Sequence, residues 1–143
     1  MLTIKHMEPQ QGYKSFRGAK SLEELQYNLT KHLVWLRDLK FELEFYMAIL
    51  DRPIFKNNIM NLFENLSRLK KDISQLEDKR MVLFHQISSR LKHMKKAKGQ
   101  DNDLSQLFKD NYDDAEKEMF NFSDKISNFK FGFFQYMQSV INQ

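Results

Sequence analysis

LEELQYNLTKHLVWLRDLKFELEFYMAIL, residues 22–50, is the stretch that decides the fold. Taken in steps of three and four it yields Leu22, Leu25, Leu29, His32, Leu36, Leu39, Leu43, Tyr46 and Leu50. Such steps keep to one side of a helix, because an α-helix closes a turn every 3.6 residues or so. A seam sustained over this length predicts one long helix packed against others. Just upstream, Ser21-Leu22-Glu23-Glu24 has the form of a capping box. The Ser21 hydroxyl can accept from the amide three residues on, while the Glu24 carboxylate reaches back.

Asp51-Arg52-Pro53 marks the end of this first helix. Pro53 disfavours the α conformation at Arg52 and suits the first turn of a new helix. A short connection and an antiparallel return are expected. The second helix is expected at about 53–97, with the seam Ile59, Leu62, Leu66, Leu69, Ile73, Leu76, Arg80, Leu83, Ile87, Leu91 and Met94. Lys92, Lys95, Lys96 and Lys98 gather at its end, where cations complement the helix dipole, and Gly99 is a natural stop. Asp103 with Gln106 is a further cap pattern. The third helix, about 103–142, carries Phe108, Tyr112, Ala115, Met119, Phe122, Ile126, Phe129, Phe133, Tyr136 and Val140 in register.

The expected fold is therefore all-α: a long antiparallel three-helix bundle, coiled-coil-like in its packing, formed by residues 21–143 as a single domain. Residues 1–20, interrupted by Pro9, Gly12 and Gly18, read as a non-helical N-terminal segment, extended or partly docked. Composition agrees. Only four glycines and two prolines occur in 143 residues, too few turn signals for a β-rich fold. Hydrophobic residues make up 41% and charged ones 29%, a globular balance. The absence of cysteine excludes disulfides, thiolate metal sites and cysteine nucleophiles, and suits a reducing cytoplasm. No signal-peptide h-region and no membrane-spanning run is read, so a soluble cytoplasmic protein is expected.

Helix lengths give a further expectation. Folding the first helix back about Arg52 sets Leu22 beside Leu83 and leaves the second helix uncovered beyond Phe84. Residues 1–20 would then fold over that overhang with Leu2, Ile4, Met7, Tyr13 or Phe16.

Residues for chemistry are sparse. His32, His85 and His93 are preceded at the third position by Leu29, Val82 and Arg90, so the Glu-x-x-His motif of di-iron bundles is missing. No pair of histidines has the zinc-protease spacing, so no metal or cofactor is expected. His32 reads as a core-edge imidazole with no carboxylate evident opposite it. Arg80, on a seam, reads as a register-fixing residue that pairs with Glu23, Glu24 or Glu118. The acidic run Asp110, Asp113, Asp114, Glu116 and Glu118 faces the basic end of the second helix, and the two largely cancel. No paired acid and base stands at a usable spacing, so no enzyme is expected.

The pattern left over lies off the seams. Val34, Phe41, Phe45 and Ala48 recur on the side of the first helix away from Leu36, Leu39 and Leu43. Phe131 and Phe134 flank the third seam. An outer helix of a bundle needs one apolar stripe, and large exposed aromatics mark interfaces. The sequence thus points to a non-enzymatic interaction or structural module acting through Val34, Phe41, Phe45, Phe131 and Phe134. Its partner is a second copy, as a homodimer that completes the bundle, or another helical protein. The alternative is a nucleic-acid-associated protein using Arg90, Lys92, Lys95, Lys96 and Lys98 with the N-terminal segment; the net charge of +4 permits this without arguing for it.

Overall fold

The computed structural model describes residues 21–96 and 102–142, with side chains placed for all of these except 102–110. The N-terminal segment, the Gly99 stop, Lys98 and the side chains of Asp103, Leu104, Gln106, Leu107, Phe108 and Asp110 lie outside the described residues. Among the described residues there are three helices: α1 (Leu22–Leu50), α2 (Leu62–Lys96) and α3 (Asn102–Val140). Among the described residues there is no strand longer than the single antiparallel bridge between Phe55 and Ile141.

Side-chain pairs fix the directions of the helices. Arg80 of α2 reaches Leu36 of α1, while Lys70 reaches Asp51 just past the end of α1. One residue number falls as the other rises, so the two helices are antiparallel. Asn28 meets Tyr112, His32 meets Glu116 and Lys130 meets Glu42, so α1 and α3 run parallel. The result is a three-helix bundle.

The seam of α1 becomes its buried side: Leu25, Leu29, Leu36, Leu39, Leu43, Tyr46 and Leu50 are all buried. Each such leucine contributes about 1.5–3 kcal/mol relative to an exposed one. Ser21 caps α1 as expected, its hydroxyl accepting from the Glu24 amide at 3.1 Å while the Glu24 carboxylate accepts from the Ser21 amide at 3.1 Å. From α3, Tyr112, Ala115, Met119, Phe122, Ile126, Phe133, Met137 and Val140 complete the core. From α2, Ile73, Leu83, Ile87, Leu91 and Met94 are buried, whereas Leu62, Leu66, Leu69 and Leu76 are only partly covered.

One boundary differs from the expectation. The second helix begins at Leu62, not at Pro53, and residues 51–61 form an ordered reversal. The reason lies in Ile54-Phe55-Lys56, which hydrogen-bonds to the end of α3 instead of coiling. The Lys56 amide donates to the Val140 carbonyl at 2.8 Å, and the Asn142 amide to the Ile54 carbonyl at 2.7 Å. Asn58 and Asn61 then turn the chain in the left-handed region, φ 64° and 58°, which asparagine tolerates better than most residues.

This longer reversal shifts the level at which α1 and α2 meet. Arg80 stands beside Leu36, not beside Leu25, and the start of α1 reaches towards the end of α2. The expected overhang beyond Phe84 is therefore not formed: the start of α1 lies beside the stretch of α2 in which Ile87, Leu91 and Met94 are buried, and the expected docking of residues 1–20 lies outside the described residues.

Candidate protein interface

Exposed aromatic side chains are concentrated on the outward side of α1. Tyr27, Val34, Phe41 and Ala48 follow one another at intervals of seven residues, and Phe45 lies one turn beyond Phe41. At 100° per residue they fall directly opposite the Leu36, Leu39 and Leu43 seam. Phe41 is 63% exposed, Phe45 62%, Phe134 of α3 47% and Val34 43%, so four of the five expected interface residues present their side chains to the outside. Phe131 is half-buried and contributes only an edge.

The exposed rings stand on a packed floor. Buried Tyr46 has Phe45 at 6.4 Å on one side and Phe134 at 5.7 Å, edge-on, on the other. Beneath it Phe133 lies at 4.9 Å and Phe129 at 6.2 Å, and those two rings stack at 5.6 Å. Aromatic packing therefore continues from the core to the surface through one residue. Tyr46 is fixed in turn by donating its hydroxyl to Glu42 at 2.7 Å, and Glu42 is held by Lys130 at 2.6 Å. Burial pushes the Tyr46 phenol well above its ordinary range, and the Glu42 carboxylate adds to the shift. For Glu42 itself burial acts upward, but the hydrogen bonds from Lys130 and Tyr46 outweigh it and its pKa is lowered. The carboxylate stays charged and the phenol stays neutral, which preserves the donor–acceptor pair.

On the other flank of α1, Phe41 leans over a groove of about 300 Å³ towards α2, lined by Arg37, Lys40, Arg80, Met81, Phe84 and His85. Met81 and Val82 are themselves exposed on α2. The α1 ridge thus carries apolar surface on both shoulders, with Arg37 and Asp38 pairing at 3.0 Å across its crest.

The polar seam residues are structural anchors. Arg80 donates to Glu77 through Nε and Nη2, both at 2.6 Å, and to the Leu36 carbonyl through Nη1 at 3.2 Å. Its partner is not Glu23, Glu24 or Glu118: the shifted level of α2 takes Glu23 and Glu24 out of line, Glu118 stands near Lys79 and Arg90 instead, and Glu77 lies one turn back on the same helix. The hydrogen bonds to Glu77 raise the already high Arg80 pKa. His32 does face a carboxylate, contrary to expectation. Its Nε2 lies 2.6 Å from Glu116 Oε2, with side-chain exposures of 26% and 16%. The parallel register of α1 and α3, an offset of 84 residues shared by the Asn28–Tyr112 pair, brings the two together. Asn28 donates to the buried Tyr112 hydroxyl at 3.2 Å. Burial raises the Tyr112 phenol, and Glu116 adds to the effect. This cluster ties α1 to α3 by hydrogen bonds at the edge of the core.

The basic end of α2 is divided. Arg90 lies 3.9 Å from Glu118, which also has Lys79 at 3.9 Å, so the acidic run of α3 takes up part of this charge. Lys92, Lys95 and Lys96 are exposed, and Lys98 lies outside the described residues. Among the described residues no group of three or more His, Cys, Asp or Glu side chains is placed to hold a metal ion. Among them, too, no helix is long and apolar enough to cross a membrane. Comparison with protein-family models, with curated proteins and with solved structures finds no match to this chain.

Proposed function

We propose that this chain is a non-enzymatic helical interaction module, cytoplasmic, that works by burying the outward face of α1 against a second copy of itself. The observation that carries the reading is the exposure of Phe41, Phe45 and Phe134 on a floor of packed aromatic rings. Leaving such rings in water forgoes roughly 25 cal/mol for each Å² that could be covered. Their backbone is already helical and the rings beneath are packed, so little further order has to be imposed on binding. A rigid apolar face of this kind, rimmed by Arg37, Asp38, Lys40 and Glu44, has the anatomy of an interface centre with a polar edge.

The test is a Phe41→Ser, Phe45→Ser double variant compared with the parent by light scattering and circular dichroism. Helix content should be unchanged, because both side chains lie outside the core, while the parent dimer becomes monomeric. A double variant that still dimerises would remove this face from the account. Salt-sensitive binding of a nucleic-acid oligomer, lost on substitution of Lys92, Lys95 and Lys96, would assign the function to the other end of α2.

A further inference from the structure

Building on the reading of the α1 face as a self-association surface, the geometry points to one register for the dimer. Two α1 helices pack antiparallel about a two-fold axis at Phe41, with Arg37 of each copy paired to Glu44 of the other. The occupant is a second copy because the face carries its own complementary charges, Arg37 and Glu44, at matching offsets about Phe41. A two-fold axis perpendicular to an antiparallel helix pair brings like flanks together, so the α2-side flank of one copy faces the α2-side flank of the other. On α1 that flank carries Arg37 and Glu44, at −40° and −60° from the direction of Phe41 by the roughly 100° turn per residue. The opposite flank carries Asp38 and Phe45. With Phe41 on the axis, residue numbers facing each other sum to about 82 at a helical rise of about 1.5 Å. Val34 then meets Ala48, a medium side chain against a small one. Arg37 meets Glu44 within one residue of the same level, and each pair occurs twice. Phe45 meets Asp38 on the other flank, beside Phe134, at the mirror-image offset of the Arg37–Glu44 pair, while the two Lys40 side chains stand farther round, at about −100°, at the edge of the contact.

The neighbouring registers are poorer. An axis between Arg37 and Asp38 sets Arg37 against Arg37 on one flank and Asp38 against Asp38 on the other. Like charges so placed act against association. An axis at Val34 gains a Lys31–Asp38 pair but puts the exposed Phe45 ring opposite Glu23 of the second copy. The Phe41 axis joins opposite charges next to the axis and sets Phe41 against Phe41 at its centre, with Phe45 beside Asp38 on the opposite flank. Arg37 is free to make the new pair, since its present partner Asp38 is its own neighbour and both side chains are more than half exposed.

The chain has no cysteine, so introduced thiols report the register without background. A Val34→Cys, Ala48→Cys double variant, oxidised as the intact chain, should form a covalent dimer. The two sites are about 21 Å apart within one helix, too far for an internal bond. Each single variant should remain uncrosslinked. In parallel, Arg37→Glu and Glu44→Arg should each weaken the dimer tenfold or more by sedimentation, and the two together should restore it to within about threefold of the parent. A covalent dimer from Val34→Cys alone would move the axis to Val34 and overturn this register. A parent dimer indifferent to both charge reversals would overturn it too while leaving self-association standing. A parent chain that sediments as a monomer would overturn the register and the reading beneath it together.

Discussion

Arg80→Ala should cost about 3 kcal/mol of folding stability, and Arg80→Met much less. The Arg80 side chain is 9% exposed and occupies a seam position among leucines. Alanine removes the stem beyond Cβ, roughly two methylene groups at about 0.8 kcal/mol each. It also removes the hydrogen bond to the Leu36 carbonyl, worth about 1 kcal/mol. The pair with Glu77 adds little, because that carboxylate is 31% exposed and water takes over its solvation when Arg80 is gone. Methionine keeps most of the stem in place and gives up mainly the polar contacts, so its cost should be about 1 kcal/mol or less. Urea titration at one fixed protein concentration reads both values, with the slope checked for constancy. Equal losses for Ala and Met would show that the charge, not the packed stem, holds this level of the bundle. A loss below about 1 kcal/mol for Ala would show that Arg80 is not a core residue in solution.

Three smaller perturbations follow from the same structure. Gly132→Ala should stabilise the fold by close to 1 kcal/mol in thermal or urea unfolding, since Gly132 lies inside α3 and an added Cβ would meet no heavy atom within 4 Å; a loss instead would mean that the space beside Phe129, Phe133 and Tyr136 is filled in the native protein. Ser21→Ala should cost about 1 kcal/mol through the broken capping box, measurable as faster amide exchange in the first turn of α1, and unchanged exchange would contradict it. The phenols of Tyr46 and Tyr112 both have pKa values raised from 10.0 in the folded chain, so the stability they contribute is fully present below pH 10 and is lost as pH climbs above it, where unfolded phenols ionise and folded ones resist. Tyr46→Phe should flatten that alkaline fall, and an unchanged slope would count against the buried Tyr46–Glu42 pair.

The helices were legible because each seam is a repeated signal. Leu25 to Leu50, and Tyr112 to Val140, state their buried side many times over, and no single residue decides it. The reversal between α1 and α2 was not legible, because Pro53 is compatible with either a turn or a helix start. What decides between them is the backbone pairing of Ile54 and Lys56 with Val140 and Asn142, residues more than 80 positions away. The Glu116 partner of His32 was missed for the same reason, as it depends on the relative level of two helices, whereas Glu77 stands three residues before Arg80 on the same helix, a spacing that the sequence does show. His32 left a faint trace: an acid at Glu116 stands at the same offset as Asn28 to Tyr112, visible once α1 and α3 are taken as parallel. Of the proposed surface, Phe41, Phe45, Val34 and Phe134 could be placed by angle alone, being apolar residues off the seam. Phe131 could not, because its shielding depends on what stands next to the helix, not on its position around it. The groove beside Phe41 escaped notice, as Met81 and Phe84 belong to another helix whose level was unknown.

Sedimentation equilibrium of the intact chain across micromolar concentrations is the most direct test of the central claim. Phe41 exposes 63% of a side chain whose surface is on the order of 200 Å², so about 250 Å² from the two copies is available to be covered. At about 25 cal/mol per Å² this is on the order of 6 kcal/mol, and half of it still favours association more than a hundredfold. The account predicts a single monomer–dimer equilibrium that shifts to monomer on Phe41→Ser. A chain that remains monomeric throughout, or a dimer insensitive to that substitution, would contradict it.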